Sequence, residues 1–172
     1  MARAWDVNGL ARNPRFRDAA GRIVLTRWRE MISYRDGTLV GDDIEELHAM
    51  RVSSRRLRAA MDAFADVFPT KSFRRYLREV KRITDTLGDA RDLDVAIEHL
   101  TLLLPEVEGV DRPGIEGLID RYEQQRRAED ARIRALFDRL ERERFAERLE
   151  TWVHKHTGVD VATLAPTPPA GA

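Results

Sequence analysis

The sequence predicts an all-α protein, an antiparallel bundle of about six helices, and three observations support that class. Apolar residues recur at intervals of three and four along most of the chain, which is the period of an amphipathic helix. No stretch of any length alternates apolar and polar residues as a half-buried strand does. Aromatic residues make up only 7% of the 172 residues, too few to be typical of an all-β domain.

Turn and cap signals divide this pattern into six predicted helices. In chain order they cover about residues 15–34, 42–68, 70–87, 89–104, 115–140 and 143–156. Asp36-Gly37 marks the turn after the first helix, and Pro69 ends the second. Gly88 is predicted to follow the end of the third helix, so that Asp89 caps the fourth.

The second helix has the clearest start signal. Asp42 or Asp43 is predicted as its N-cap, because a carboxylate oxygen can accept a hydrogen bond from a free backbone N–H of the first turn. Glu45 and Glu46 follow within that turn, where negative side chains interact favourably with the helix dipole.

Length and composition predict one domain with two different ends. Residues 1–14 form an N-terminal segment and residues 15–156 the helical domain. Residues 157–172 are rich in Thr, Ala and Pro and are predicted to be a disordered tail. Within the domain, a loop with Gly and Pro separates a basic half, 15–104, from the more acidic helices of 115–156.

The composition excludes several functional classes. The chain has no cysteine, which excludes disulfides, thiol catalysis and cysteine-ligated zinc and fits a cytoplasmic protein. Its apolar runs are too short for a transmembrane helix, and no apolar segment near the first residue has the pattern of a secretory signal. We expect neither a cofactor nor a metal, since no phosphate-binding loop or ligand cluster is evident.

The net charge of zero conceals a segregation of charge along the chain. Residues 51–91 carry 11 basic and 5 acidic side chains, whereas residues 92–150 carry 10 basic and 16 acidic ones. Of the 30 basic residues, 27 are Arg, the side chain that contacts phosphate and carboxylate groups with two parallel hydrogen bonds. A GC-rich genome would also favour Arg over Lys, so the excess has two explanations.

The basic residues of the second predicted helix form a stripe. At 100° per residue, His48, Arg51, Arg55 and Arg58 line up beside the apolar face, and Arg56 lies on the opposite flank. No acidic residue interrupts this stretch. Like charges four residues apart destabilise an isolated helix, so the stripe requires solvent and salt or a polyanion.

The next helix repeats the design with Arg74, Arg78 and Lys81 at i, i+4 and i+7. Packed antiparallel, the two helices would set both stripes along one groove, which suits a repeating anion such as nucleic acid or polyphosphate. A solvated charged surface or an internal network of ion pairs would give the same pattern. Asp92 and Asp94 are open to two interpretations, as catalytic or metal-binding groups or as residues that cap a helix and orient Arg91 or other arginines.

Two motifs resemble those of one family. Residues 48–58 read HAMRVSSRRLR and residues 87–95 read LGDARDLDV, which are similar to the HxxRVxxRRLR and LGxxRDLDV patterns of CHAD domains, the conserved-histidine α-helical domains. The resemblance extends over about residues 15–156. It implies a helical bundle that binds inorganic polyphosphate without catalysis and associates with polyphosphate granules.

The resemblance also implies which residues contact the anion. They are His48, Arg51, Arg55, Arg56 and Arg58, followed by Arg74, Arg78, Lys81 and Arg91. CHAD domains often accompany a triphosphate-tunnel domain with an ExExK motif on a strand. Here residues 106–110 read EVEGV, with Val110 in the place of the Lys, so we expect no enzymatic activity.

The chain departs from the family in length. A full-length CHAD domain resembles two related bundles around a basic cavity, and this chain has a single HxxR helix. We therefore expect a short or half-length member, and hypothesise a homodimer that would rebuild the two-bundle arrangement. Nucleic acid is the alternative ligand, although Trp5, Trp28 and Trp152, which could stack on bases, lie outside the basic stretch.

Overall fold

A computed structural model describes residues 3–10 and 15–164, and within them all regular structure is helical, which confirms the all-α prediction. The six α-helices are α1 (Phe16–Ser33), α2 (Arg35–Val40), α3 (Ile44–Ala63), α4 (Thr70–Leu103), α5 (Arg112–Arg142) and α6 (Phe145–Thr157). Short 3-10 helices cover Ala65–Val67, Leu104–Glu106 and Val161–Thr163. No helix in these residues is both long and apolar enough to cross a membrane.

The long helices pack antiparallel in the order α1, α3, α4 and α5, and α6 closes the bundle against α1. Each helix contributes one apolar stripe to a single core, as expected for amphipathic helices. Aromatic rings fill the end of the core near the start of α4, where Trp152 stacks against Phe68 with ring centroids 4.3 Å apart. Trp28 of α1 packs edge-on against Phe145 of α6 at 5.6 Å.

The predicted turn at Asp36-Gly37 is wrong. Both residues lie in the short helix α2, and the chain turns instead at Gly41, which has a φ of 80° and can adopt this left-handed conformation without strain. The predicted cap of the next helix is confirmed at Asp43, whose side chain accepts a hydrogen bond from the Glu45 backbone N–H at 2.8 Å.

The predicted break at Gly88 is also wrong, because α4 runs without interruption through it for 34 residues. Ile83, Leu87 and Ala90 are all buried, so the apolar stripe continues across the glycine into the same core. The free energy gained by burying that stripe outweighs the small cost of placing one glycine in the interior of a helix. Asp89 is therefore an interior residue of α4 and not an N-cap.

Part of the predicted disordered tail is packed. Val159 and Leu164 are 3% and 5% exposed, and the Leu164 carbonyl accepts a hydrogen bond from Arg29 Nη1 at 2.7 Å. The Thr- and Ala-rich composition concealed the apolar residues that anchor this segment to α1. The rest of that predicted tail, residues 165–172, lies outside the described residues.

The ends of α4 and α5 leave the bundle together. We define the arm as residues 95–125, the end of α4, the connection and the first part of α5. None of these 31 residues is buried, whereas the remaining parts of α4 and α5 contribute buried residues to the core. The arm is therefore a two-helix projection with solvent on its outer sides.

Candidate functional site

The contacts of Arg51 show how residues of α3 are aligned with residues of α4. Its guanidinium lies 3.7 Å from Asp92 Oδ1 and passes close to Gly88, where a Cβ atom would lie 3.7 Å from Arg51 Nε. Because the two helices run antiparallel, Arg58 lies seven residues further along α3 and level with about residues 81–85 of α4. At the seam between the two helices, residues 51–58 of α3 thus lie beside residues 81–92 of α4. Lys81 is level with Arg58, and Arg74 and Arg78 lie further toward the start of α4.

Four cations of the two basic stripes have no protein partner among the described residues: Arg55 on α3 and Arg74, Arg78 and Lys81 on α4. The three arginines are exposed and Lys81 is half-buried. We call these four residues, together with Arg51 and Arg58, the basic face. Donors that the protein leaves unpaired are free to contact a ligand.

Two arginines of the basic face have weak partners. Arg51 pairs with the largely exposed Asp92, and Arg58 approaches Asp62 at 4.0 Å, with both side chains about half exposed. Ion pairs of this kind contribute about 0–1 kcal/mol because solvent screens them. A phosphate group could therefore displace either carboxylate at little cost.

Arg56 is directed into the protein. Its Nη1 donates to Glu30 Oε1 at 2.7 Å, and Arg27 donates to the other oxygen of the same carboxylate. Glu30 is fully buried, so both arginines are needed to compensate its charge. Arg56 thus joins α3 to α1, a role that the sequence could not reveal because Glu30 lies 26 residues away in the chain.

His48 and Arg91 are half-buried and lie where the N-terminal part of α3 meets α4. His48 Nδ1 and Arg91 Nη1 are buried and have no hydrogen-bond partner among the described residues. Each side chain retains other nitrogen atoms, so a ligand at the rim of the seam could contact them from outside.

The acidic residues of the second motif form ion pairs with arginines other than Arg91. Asp92 pairs with Arg51, and Asp94 accepts a hydrogen bond from Arg126 Nε of α5 at 2.6 Å. Burial raises the pKa of Asp94, and Arg126 opposes that rise. Sequence reasoning missed Arg126, which also pairs with Asp130 and joins α5 to α4.

The basic face offers hydrogen-bond donors and positive charge. Its guanidinium and ammonium groups can bind an anion by charge-assisted hydrogen bonds. Across residues 3–10 and 15–164, no three His, Asp or Glu side chains are grouped so as to hold a metal ion. The arrangement can therefore retain a polyanion.

A comparison with protein families identifies the chain. The model of the CHAD domain matches residues 22–171, nearly the whole sequence. The chain belongs to the CHAD family. Both CHAD motifs lie within this match, and they meet at the seam where Arg51 passes over Gly88. Neither the curated proteins nor the solved structures include a match.

Proposed function

We propose that this CHAD domain binds inorganic polyphosphate without catalysis and that the basic face is the site. The observation that carries the proposal is that Arg55 of α3 and Arg74, Arg78 and Lys81 of the neighbouring α4 are cations without a protein partner in the described chain. Membership of the CHAD family supports the choice of ligand, because that family is associated with polyphosphate. We propose granules of polyphosphate as the place where the protein acts.

The spacing of the cations suits a repeating anion. Along α4, Arg74, Arg78 and Lys81 follow one another at axial intervals of about 6 and 4.5 Å, at 1.5 Å per residue. Successive phosphates of one chain could be contacted by successive side chains, and each contact would release bound counterions. By analogy with nucleic acids, affinity then falls steeply as salt concentration rises.

The residues implied by the CHAD resemblance have unequal roles in this proposal. Arg55, Arg74, Arg78 and Lys81 contact phosphate directly, and Arg51 and Arg58 exchange their carboxylate partners for phosphate. His48 and Arg91 contact the ligand at the rim of the seam. Arg56 is placed outside the ligand set, because its guanidinium compensates the charge of the buried Glu30.

The first experiment is a polyphosphate titration at two salt concentrations, with a DNA oligonucleotide of equal charge as competitor. Tight, salt-sensitive binding that DNA does not displace supports the proposal. Equal displacement by DNA would indicate a general polyanion or nucleic-acid surface, and absence of binding at low salt would contradict the proposal. Incubation with polyphosphate, with and without Mg²⁺, should release no phosphate above a blank.

Variants then locate the site. Arg55→Ala should weaken polyphosphate binding by about 1–3 kcal/mol, the range of a charge-assisted hydrogen bond. Arg134→Ala is the matched control, because Arg134 is also exposed and unpaired in the described chain but lies on α5. Equal losses in the two variants would show that binding depends on total charge and not on the basic face.

A further inference from the structure

The arm carries a strong excess of negative charge. Residues 95–125 contain seven acidic and two basic side chains, a net charge of −5. All seven carboxylates are exposed. Five of them have no ion-pair partner in the described chain, namely Glu98, Glu106, Glu108, Asp111 and Asp120. The arm is thus the opposite of the basic face in charge.

The arm also exposes apolar side chains. Leu102, Leu103 and Val110 are 68%, 43% and 83% exposed. Each would be removed from water by a partner that lies along the arm, at a gain of about 25 cal/mol per Å² of apolar surface. The arm therefore combines negative charge with apolar surface that the bundle does not cover.

The helix α4 connects the two complementary surfaces. The first two-thirds of α4 carry Arg74, Arg78 and Lys81, and its last turns enter the arm. When a second copy lies antiparallel beside the first, the base of each arm, which carries Glu98, lies along the basic part of the other α4. One two-fold axis then forms both attractive contacts, and the interface closes.

We propose that the arm of each copy binds the basic face of a second copy, in a reciprocal two-fold dimer. Charge complementarity selects this arrangement, because two arms of net charge −5 placed side by side would repel each other. The dimer uses the face proposed for polyphosphate, so the two partners compete for it. The dimer itself does not rest on polyphosphate binding.

Sedimentation velocity tests the dimer without any ligand. We expect dimers at about 20 mM salt and monomers at about 300 mM. The Debye screening length is about 20 Å at the lower salt concentration and about 6 Å at the higher one, so the attraction between arm and basic face is largely screened at the higher one. The arm variant Glu98→Gln, Glu106→Gln, Glu108→Gln should raise the dimer dissociation constant at least about tenfold, a loss of about 1.4 kcal/mol. The control variant Asp36→Asn, Asp66→Asn, Asp138→Asn removes the same number of charges elsewhere and should dimerise normally.

Two results would overturn the proposal. One is a monomer at low salt and high micromolar concentration. The other is a salt-insensitive dimer that Leu102→Ser, Leu103→Ser dissociates but the arm variant does not, since that dimer would be held by apolar contacts between arms. Polyphosphate titration of the arm variant separates this proposal from the previous one. The variant retains the whole basic face, so it should still bind polyphosphate even though it dimerises less.

The three lysines of the chain allow the contact to be mapped. A carbodiimide that joins carboxylates to amines, applied to a mixture of ¹⁴N- and ¹⁵N-labelled protein, should link Lys71 or Lys81 of one copy to arm carboxylates of the other. Lys155 on α6 is the internal control and should form no such link. Intermolecular links at Lys155 alone would place the interface elsewhere and contradict the proposal.

Discussion

Arginines on the two sides of the bundle differ in whether they bind other groups of the protein. Toward α1 and α6, Arg27 of α1 and Arg56 of α3 share the carboxylate of Glu30, and Arg29 binds the Leu164 carbonyl. On the side built by α3 and α4, Arg55, Arg74 and Arg78 are exposed to solvent. Arg55 and Arg56 are adjacent in the sequence, so the position of a buried carboxylate determines which arginine is structural.

The glycines follow the same division. At Gly21 of α1, an added Cβ would lie 2.4 Å from Thr157 Oγ1 and 2.8 Å from Val159 Cγ2, so neighbouring side chains already fill that space. At Gly88 of α4 the nearest atom is Arg51 Nε at 3.7 Å, an ordinary contact distance. Gly21 therefore allows close packing between α1 and the end of α6. At Gly88, between α3 and α4, there is space for a side-chain methyl group.

The sharpest test of this comparison is the pair Arg56→Ala and Arg55→Ala. Arg56→Ala leaves the buried Glu30 with one of its two partners and should lower the free energy of unfolding by about 3 kcal/mol. Arg55→Ala should change it by less than about 0.5 kcal/mol, as for an exposed residue. Urea denaturation of both variants measures the difference, and equal losses would show that the stripe is structural throughout.

Gly21→Ala should be the next most damaging change. The new methyl group overlaps Thr157 and Val159, and overpacking of this kind costs about 1–3 kcal/mol. The midpoint of thermal unfolding should fall accordingly. A midpoint at or above that of the parent protein would mean that the end of α6 can move away from α1 at no cost.

Gly88→Ala should have the opposite sign. Its methyl group meets no close neighbour, and alanine is favoured over glycine in a helix interior by about 0.5–1 kcal/mol. We expect the free energy of unfolding to rise by that amount in urea denaturation. A loss of stability would show that the glycine of the second motif is required for the approach of Arg51 to α4.

The smallest expected effect concerns pH. His156 lies edge-on to the ring of Trp152, and burial lowers the pKa of its imidazole in the folded protein. A base whose pKa is lower in the folded than in the unfolded state contributes stability that is lost as pH falls below about 6.5. His156→Gln should therefore reduce the loss of stability between about pH 7.5 and pH 5.5, whereas the exposed His99→Gln should leave it unchanged.

The sequence was sufficient for the fold class and for a cap at Asp42 or Asp43, because these follow from local periodicity and composition. It was not sufficient for the continuity of α4 through Gly88, since tertiary burial decides whether one glycine ends a helix. The roles of Arg56 and Asp94 were also hidden. Their partners, Glu30 and Arg126, are 26 and 32 residues away and meet them only through packing.

The unbroken length of α4 has a mechanical consequence. At 1.5 Å per residue, its 34 residues make a rod of about 51 Å that includes the α4 residues of the basic face and the base of the arm. Because α4 continues through Gly88 without a break, a tilt of one end of the helix also tilts the other end. Whatever holds the basic end therefore sets the direction in which the acidic end points.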